Sequence, residues 1–161
     1  MSKLLQLNEN INILYCSAIK NIQNFELNLQ VYFILKHVLQ NNPNNQLDQE
    51  ISQVSRISKR SFEQFSNILA KEPVPQNEII GFLKNYNSTR LYLLHHFFIK
   101  NIKSLSTETG CQRHISELNC LNESFLNLRF IANNYYTELM CKYSFNKKDI
   151  VKIAINILTD T

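Results

Sequence analysis

The chain has 161 residues, of which 44% are hydrophobic, and a formal net charge of +4. This length is enough for one sizeable core or two small linked cores, and the mild positive charge is compatible with a phosphate-backbone or an acidic-protein partner. The chain contains only two Gly and three Pro, and no segment sustains the period-two alternation of a strand. Composition therefore predicts an all-α protein and argues against a β-sheet.

The first half of the chain is predicted to form five helices. A short helix begins near Ser2, a second covers residues 10–21, and a third, apolar over most of its surface, covers residues 27–40. Two further short helices fall within residues 50–69. All-round hydrophobicity places the third helix at the centre of its domain.

A linker is predicted at residues 73–76, because two prolines stop the preceding helix and stiffen the crossing. We therefore expect a first domain at residues 1–72 and a second domain at residues 77–161.

The second half is predicted to repeat the scheme of the first. Residues 76–86 form a short helix, and residues 90–102 form the next, with an inward face made of Leu91, Leu94, Phe98 and Ile102. Residues 104–116 are predicted to be a polar loop. Asn122 then caps a helix whose inward residues are Phe125, Leu128, Ile131 and Ala132.

Residues 50–69 have the spacing of a helix–turn–helix. Arg56 occupies the turn, and Ser58 is placed to cap the second helix through its hydroxyl. The buried stripe of that helix, at i, i+3 and i+7, is Phe62, Phe65 and Leu69. Lys59 and Arg60 then stand exposed at its start, where a recognition helix meets DNA. An ordinary pair of helices in a helical core is the alternative interpretation.

The same pattern recurs near the C-terminus, where residues 138–157 align without a gap on residues 50–69. Asn146 takes the place of the serine cap, and Lys147 and Lys148 take the place of the first basic pair. Two such segments at corresponding places indicate an internal duplication. The expected architecture is two five-helix cyclin-like repeats, each ending in a helix–turn–helix.

The segment 54–60, Val-Ser-Arg-Ile-Ser-Lys-Arg, resembles the junction of the fourth and fifth helices in the first core repeat of transcription factor IIB. That family typically reads V-S-R-I-S-K-K there. The resemblance implies a nuclear protein whose repeats clamp TATA-binding protein on double-stranded promoter DNA. It implies DNA contacts from Arg56, Ser58, Lys59 and Arg60 in the first repeat and from Asn146, Lys147, Lys148 and Lys152 in the second.

Two departures from the family pattern change what the resemblance implies. The family's base-reading valine and arginine fall at Lys148 and Val151, so contact with phosphates rather than bases is expected there. The zinc ribbon that recruits RNA polymerase has no counterpart, so the polymerase is at most an additional partner.

Other groups of reactive side chains are weak. Cys111, His114 and Cys120 offer three of the four ligands that a zinc site requires, within a segment that begins as a predicted loop. No Gly-rich phosphate loop, close carboxylate pair or Ser-His-Asp order stands out, so we expect no enzyme, no metal site and no cofactor.

The four cysteines include no C-x-x-C pair, and no secretory signal precedes them, so free thiols in a reducing intracellular compartment are expected. No apolar run approaches the length of a membrane span, and no membrane partner is expected.

Two alternatives to a DNA-bound adaptor remain open. One is a cyclin-like protein that binds a protein kinase, although the opening helix typical of such cyclins is not visible. The other is a helical scaffold subunit of a larger assembly, in which the helix–turn–helix is purely structural.

Overall fold

The structure, a computed structural model, describes residues 2–41, 59–71, 77–142 and 148. These residues form helices and short turns without any strand, which confirms the predicted all-α class. In chain order the α-helices are α1 (Lys3–Asn41), α2 (Lys59–Leu69), α3 (Asn77–Lys84), α4 (Tyr86–Leu91), α5 (Phe97–Asn101) and α6 (Glu108–Lys142). A π-helical turn, Tyr92–His96, joins α4 to α5, and a 3₁₀ turn, Ser104–Ser106, precedes α6.

Helix α1 is a single helix of 39 residues where three separate helices were predicted. That prediction is wrong because the stretch contains neither Gly nor Pro, and its buried positions keep helical spacing across the expected breaks. Ile22, Phe25 and Leu29 bridge the second of these breaks and are 1% exposed or less. A long helix forms wherever no residue stops it and a partner covers its apolar side.

Helix α6 begins at Glu108, inside the segment predicted to be a loop, and it carries Asn122 in its interior rather than at its cap. The actual cap is Thr107, whose backbone is extended and whose Oγ1 accepts a hydrogen bond from the Gly110 N–H at 3.1 Å. Glu108 in the first turn complements the helix dipole.

Residues 90–102 bury a different face from the predicted one. The expected inward residues Leu91, Phe98 and Ile102 are exposed to 48%, 40% and 70%, whereas Leu93 and Phe97 are buried. The π-helical turn between α4 and α5 takes more residues per turn than an α-helix and therefore rotates the side chains that follow it. A regular 3.6-residue period does not include such a rotation.

The two long helices, α1 and α6, lie side by side and run parallel. Contacts between them join residues whose numbers rise together: Lys3 with Glu108, Asn21 with Asn122, Asn28 with Arg129, and Tyr32 with Tyr135. The chain between them must therefore return from the end of α1 to the start of α6, and α2 to α5 belong to that return.

Each long helix presents buried residues to the pair at intervals of seven. In α1 these are Ile11, Ala18, Phe25 and Tyr32, and in α6 they are Cys111, Leu118, Phe125 and Ala132. In α6, His114 and Leu128 are also buried, which divides the first and the last of these intervals into steps of three and four residues, as in a helical seam. The predicted burial of Phe125, Leu128 and Ala132 is confirmed.

A polar network crosses this seam and fixes the register of the two helices. The Asn21 amide nitrogen donates to Asn122 Oδ1 at 3.1 Å, and the Asn122 amide nitrogen donates to the Leu14 carbonyl at 2.9 Å. Arg129 Nη1 donates to Asn21 Oδ1 at 3.3 Å. Because sliding either helix by one turn would leave these groups without partners, the network favours one alignment.

An aromatic cluster connects the long pair to the returning helices. The Phe25 ring lies 5.2 Å from the Tyr86 ring and within 6.3 Å of the rings of Phe62 and Phe65, and the Tyr86 ring lies 5.9 Å from that of Phe125. Buried residues from before and after the predicted linker thus share one continuous core among the described residues.

Candidate nucleic-acid interface

Helix α2 has the form predicted for the second helix of the helix–turn–helix. It begins at Lys59, and its predicted stripe is buried: Phe62, Phe65 and Leu69 are 6%, 0% and 1% exposed. Gln64 and Asn67 lie on the opposite, exposed side. The helix therefore has an apolar face in the core and a polar face at the surface.

A groove of about 740 Å³ runs beside α2, where α3 and α4 approach it, and we name it the polar groove after the five polar residues in its lining. Phe62 and Leu83 are its buried apolar lining. The remaining lining residues carry hydroxyl, amide or ammonium groups and no carboxylate: Ser66, Asn67, Lys84, Asn87 and Ser88. These side chains are of the types that contact phosphate oxygens in protein–DNA complexes.

The start of α2 adds to the attraction for an anion. Its first turn contains no acidic residue, so the positive end of the helix dipole is not neutralised within the helix. Backbone N–H groups at a helix start are a common phosphate site. The groove and the helix start both belong to α2, and together they form the candidate interface.

Most of the predicted DNA-binding residues cannot be placed on this surface. Arg56, Ser58, Asn146, Lys147 and Lys152 lie outside the described residues.

The structure places Lys59 and Arg60 in the first turn of α2 without describing their side chains. Lys148 is described and exposed. The DNA contacts expected from the two basic pairs, Lys59-Arg60 and Lys147-Lys148, stay a prediction.

Sequence reasoning missed the part of the interface that comes from α3 and α4. Lys84, Asn87 and Ser88 are ordinary polar residues in the sequence, and nothing in their spacing marks them as a site. They reach α2 because Tyr86, between them, is fully buried against Phe25 and fixes the direction of α4.

A second polar cluster lies where α5 and the 3₁₀ turn meet α6. The Ser104 Oγ is 2.7 Å from His114 Nε2, and His114 Nδ1 is 2.9 Å from Glu117 Oε2. His114 is only 2% exposed, and the Phe97 ring lies 5.6 Å from its imidazole. Nothing in the sequence connects Ser104 to His114, because only the turn before α6 brings them together.

The same order of hydrogen bonds, Ser to His to carboxylate, occurs in serine hydrolases. Here the Ser104 Oγ lies 2.9 Å from the Asn101 carbonyl oxygen as well as 2.7 Å from His114 Nε2, so its single hydrogen has two acceptors within reach. The imidazole is therefore not the sole partner of the hydroxyl, as it is for an activated serine. The cluster therefore fastens the end of α5 to α6.

The geometry around His114 also argues against a zinc site made of Cys111, His114 and Cys120. Both ring nitrogens of His114 are engaged, and Cys111 is buried while Cys120 is exposed. Over the described parts of the chain, no group of three or more His, Cys, Asp or Glu side chains could hold a metal ion.

Comparisons with known proteins add no information about this interface. No protein-family model, curated protein or solved structure matches the chain. The resemblance to transcription factor IIB consequently rests on segment 54–60 and on the recurrence near the C-terminus.

Proposed function

We propose that this chain is a non-catalytic helical adaptor that binds the phosphate backbone of double-stranded DNA through α2 and the polar groove. The observation that carries the proposal is the two-sided character of α2: a buried stripe of Phe62, Phe65 and Leu69 faces the core, and the polar residues beside this stripe border a groove whose lining contains no carboxylate. An amphipathic helix anchored in this way is a rigid support for phosphate contacts.

The biological setting that we propose follows from the local resemblance to transcription factor IIB. It comprises transcription initiation in the nucleus, TATA-binding protein as the main partner and RNA polymerase as a further one. The two five-helix cyclin-like repeats belong to this proposal. They are supported by the two helix–turn–helix segments, while the uninterrupted α1 departs from a five-helix first repeat.

The affinity for DNA alone should be weak and strongly dependent on salt. Lys84 is the cation among the described groove residues, and Lys59 and Arg60 add two more if they face the same way. Each phosphate contact contributes about 0.9 units of slope to the logarithm of affinity against the logarithm of salt concentration. TATA-binding protein on the same duplex would supply the affinity that so few contacts lack.

The test is fluorescence anisotropy with a labelled promoter duplex, titrated against salt for four proteins. Lys84→Ala should reduce the salt slope by about one unit, and Lys59→Ala combined with Arg60→Ala by about two. Lys20→Ala, which removes one exposed cation from α1, is the matched control and should leave the slope unchanged.

A gel shift with and without TATA-binding protein completes the experiment, and a supershift is expected. Unchanged slopes in both basic variants would refute DNA binding through α2. Intact slopes without a supershift would refute the partner and retain the DNA-binding surface.

A helical scaffold subunit is the second candidate, and one observation favours it. Leu126 and Phe130, one turn apart on α6, are 45% and 64% exposed. Pairs of exposed apolar side chains on one helix face are typical of protein contacts. If the DNA-binding test fails, the scaffold subunit becomes the leading candidate. Nothing in the described residues favours a kinase-binding cyclin.

A further inference from the structure

One long segment of this chain carries cations and no anions. Residues 79–107 contain no Asp or Glu and four cations, Lys84, Arg90, Lys100 and Lys103. Those four equal the net charge of +4, so the rest of the chain is electrically balanced. Arg90 is neutralised by Glu26, whose Oε1 lies 2.7 Å from its Nε, and Lys84 lines the polar groove. Lys100 and Lys103 are left, both exposed.

The same segment carries an unusual share of exposed apolar side chains. Eight large hydrophobic residues are exposed in the described parts of the chain, and four of them lie between residues 91 and 102. Ile99 and Ile102 are the most exposed of all eight, at 74% and 70%. They alternate with Lys100 and Lys103 around the end of α5.

The shape of this region favours a flat partner over a grooved one. Side chains that are exposed to 70% or more project from the surface and do not line a cleft. The Phe98 ring, which is 40% exposed, packs against the Tyr15 ring of α1, with the ring centroids 4.8 Å apart, and so anchors this region to α1. We name Leu91, Phe98, Ile99, Lys100, Ile102 and Lys103 the basic apolar edge.

We propose that the basic apolar edge binds the surface of membranes that contain anionic lipids. Projecting isoleucines enter the boundary between headgroups and acyl chains, and the lysines beside them meet lipid phosphates and carboxylates. The absence of any acidic residue from 79 to 107 removes the repulsion that an anionic surface would otherwise meet. This mode is peripheral: in the described residues no helix is long and apolar enough to cross a bilayer.

The inference is independent of DNA binding, because it uses different residues. The seven residues that line the groove beside α2 end at Ser88, whereas the basic apolar edge begins at Leu91. Variants of one surface should therefore leave the other unaffected.

The experiment is co-sedimentation of the full chain with phosphatidylcholine vesicles, with and without phosphatidylserine. Binding is expected only to the vesicles with phosphatidylserine. Lys100→Ala combined with Lys103→Ala should weaken it roughly 25-fold, since each lysine near an anionic surface contributes about fivefold. Lys20→Ala should have no effect.

The apolar part of the edge has its own reporter, because the chain contains no Trp. Ile99→Trp should show a blue-shifted and enhanced emission when phosphatidylserine vesicles are added. Ile13→Trp, at a position on α1 that is 65% exposed, is the matched control and should show no shift.

Three outcomes would overturn the proposal. They are equal binding to vesicles without phosphatidylserine, no change in the Ile99→Trp emission, and unaltered binding of the double lysine variant. A separate arm uses an acidic amphipathic peptide: if it binds with the same dependence on Lys100 and Lys103 while vesicles do not, the edge is a protein-docking surface.

Discussion

Replacing Gly110 with alanine should destabilise the protein, although the residue lies inside a helix, where alanine is normally preferred. A Cβ atom at this position would be 1.9 Å from the carbonyl oxygen of Ser104 and 2.6 Å from its carbonyl carbon. Both are backbone atoms, so no side chain can rotate away. Either the 3₁₀ turn or the first turn of α6 must move.

The size of this loss in unfolding free energy follows from one favourable and two unfavourable contributions. Alanine gains about 1 kcal/mol in helix propensity over glycine. Forcing a methyl group into a packed site costs about 1–3 kcal/mol. Moving the turn also lengthens the 2.7 Å contact between Ser104 and His114, and a lost hydrogen bond costs about 1 kcal/mol. The net loss is about 2 kcal/mol, or a decrease in Tm of about 4–8 °C for a chain of this size.

The other glycine of the chain is the matched control for this measurement. Gly81 lies within α3, and a Cβ there would meet nothing within 4 Å. Gly81→Ala should therefore raise the unfolding free energy by about 0.5–1 kcal/mol. Thermal and urea unfolding of both variants, followed by circular dichroism, give the comparison. If both variants were stabilised equally, the close approach of Ser104 to α6 would not constrain the protein.

Two further predictions concern the core. Asn122→Ala should cost about 2 kcal/mol, because it leaves the Asn21 amide nitrogen without its acceptor and removes the side-chain hydrogen bond to the Leu14 carbonyl. Urea unfolding measures this cost against Asn127→Ala, an exposed position on α6, and equal stability of the two variants would contradict the role of the network. Burial, followed by the nearby Glu26 carboxylate, raises the pKa of Tyr86 far above its ordinary value of 10.0. Above pH 10 the unfolded state ionises this phenol while the folded state keeps it neutral. The unfolding free energy should therefore be constant below pH 10 and fall as the pH rises beyond it. Tyr86→Phe should reduce the slope of that alkaline decline, and an unchanged slope would refute the raised pKa of Tyr86.

The fold class and helix α2 could be predicted from local sequence patterns. The start at Lys59 and the burial of Phe62, Phe65 and Leu69 follow from a spacing contained in one helix. The start of α6 was missed: Thr107 followed by Glu108 is a local capping signal, but the polar composition of the segment favoured a loop.

Features that depend on distant partners were not readable. The sequence of α1 permits a continuous helix, but the helix also needs α6 to cover its apolar side, and the contacting residues of α6 are about 100 positions away, as with Asn21 and Asn122. The face of residues 90–102 depends on a π-helical turn, which no regular period includes. The polar groove combines α2 with residues near Tyr86, and only the aromatic cluster brings these elements together.

The parallel arrangement of α1 and α6 has a consequence for how the chain folds during synthesis. The hydrogen bonds that join the two helices span sequence separations of 101 to 108 residues, so closing this pair carries a large loss of chain entropy and favours slow folding. A ribosome adds about 5–20 residues per second, so the apolar stripe of α1 waits roughly 5–20 s for its partner. Throughout that interval the nascent chain exposes Ile11, Ala18 and Phe25 to solvent, which makes the early translation product a substrate for chaperones that bind exposed apolar helices.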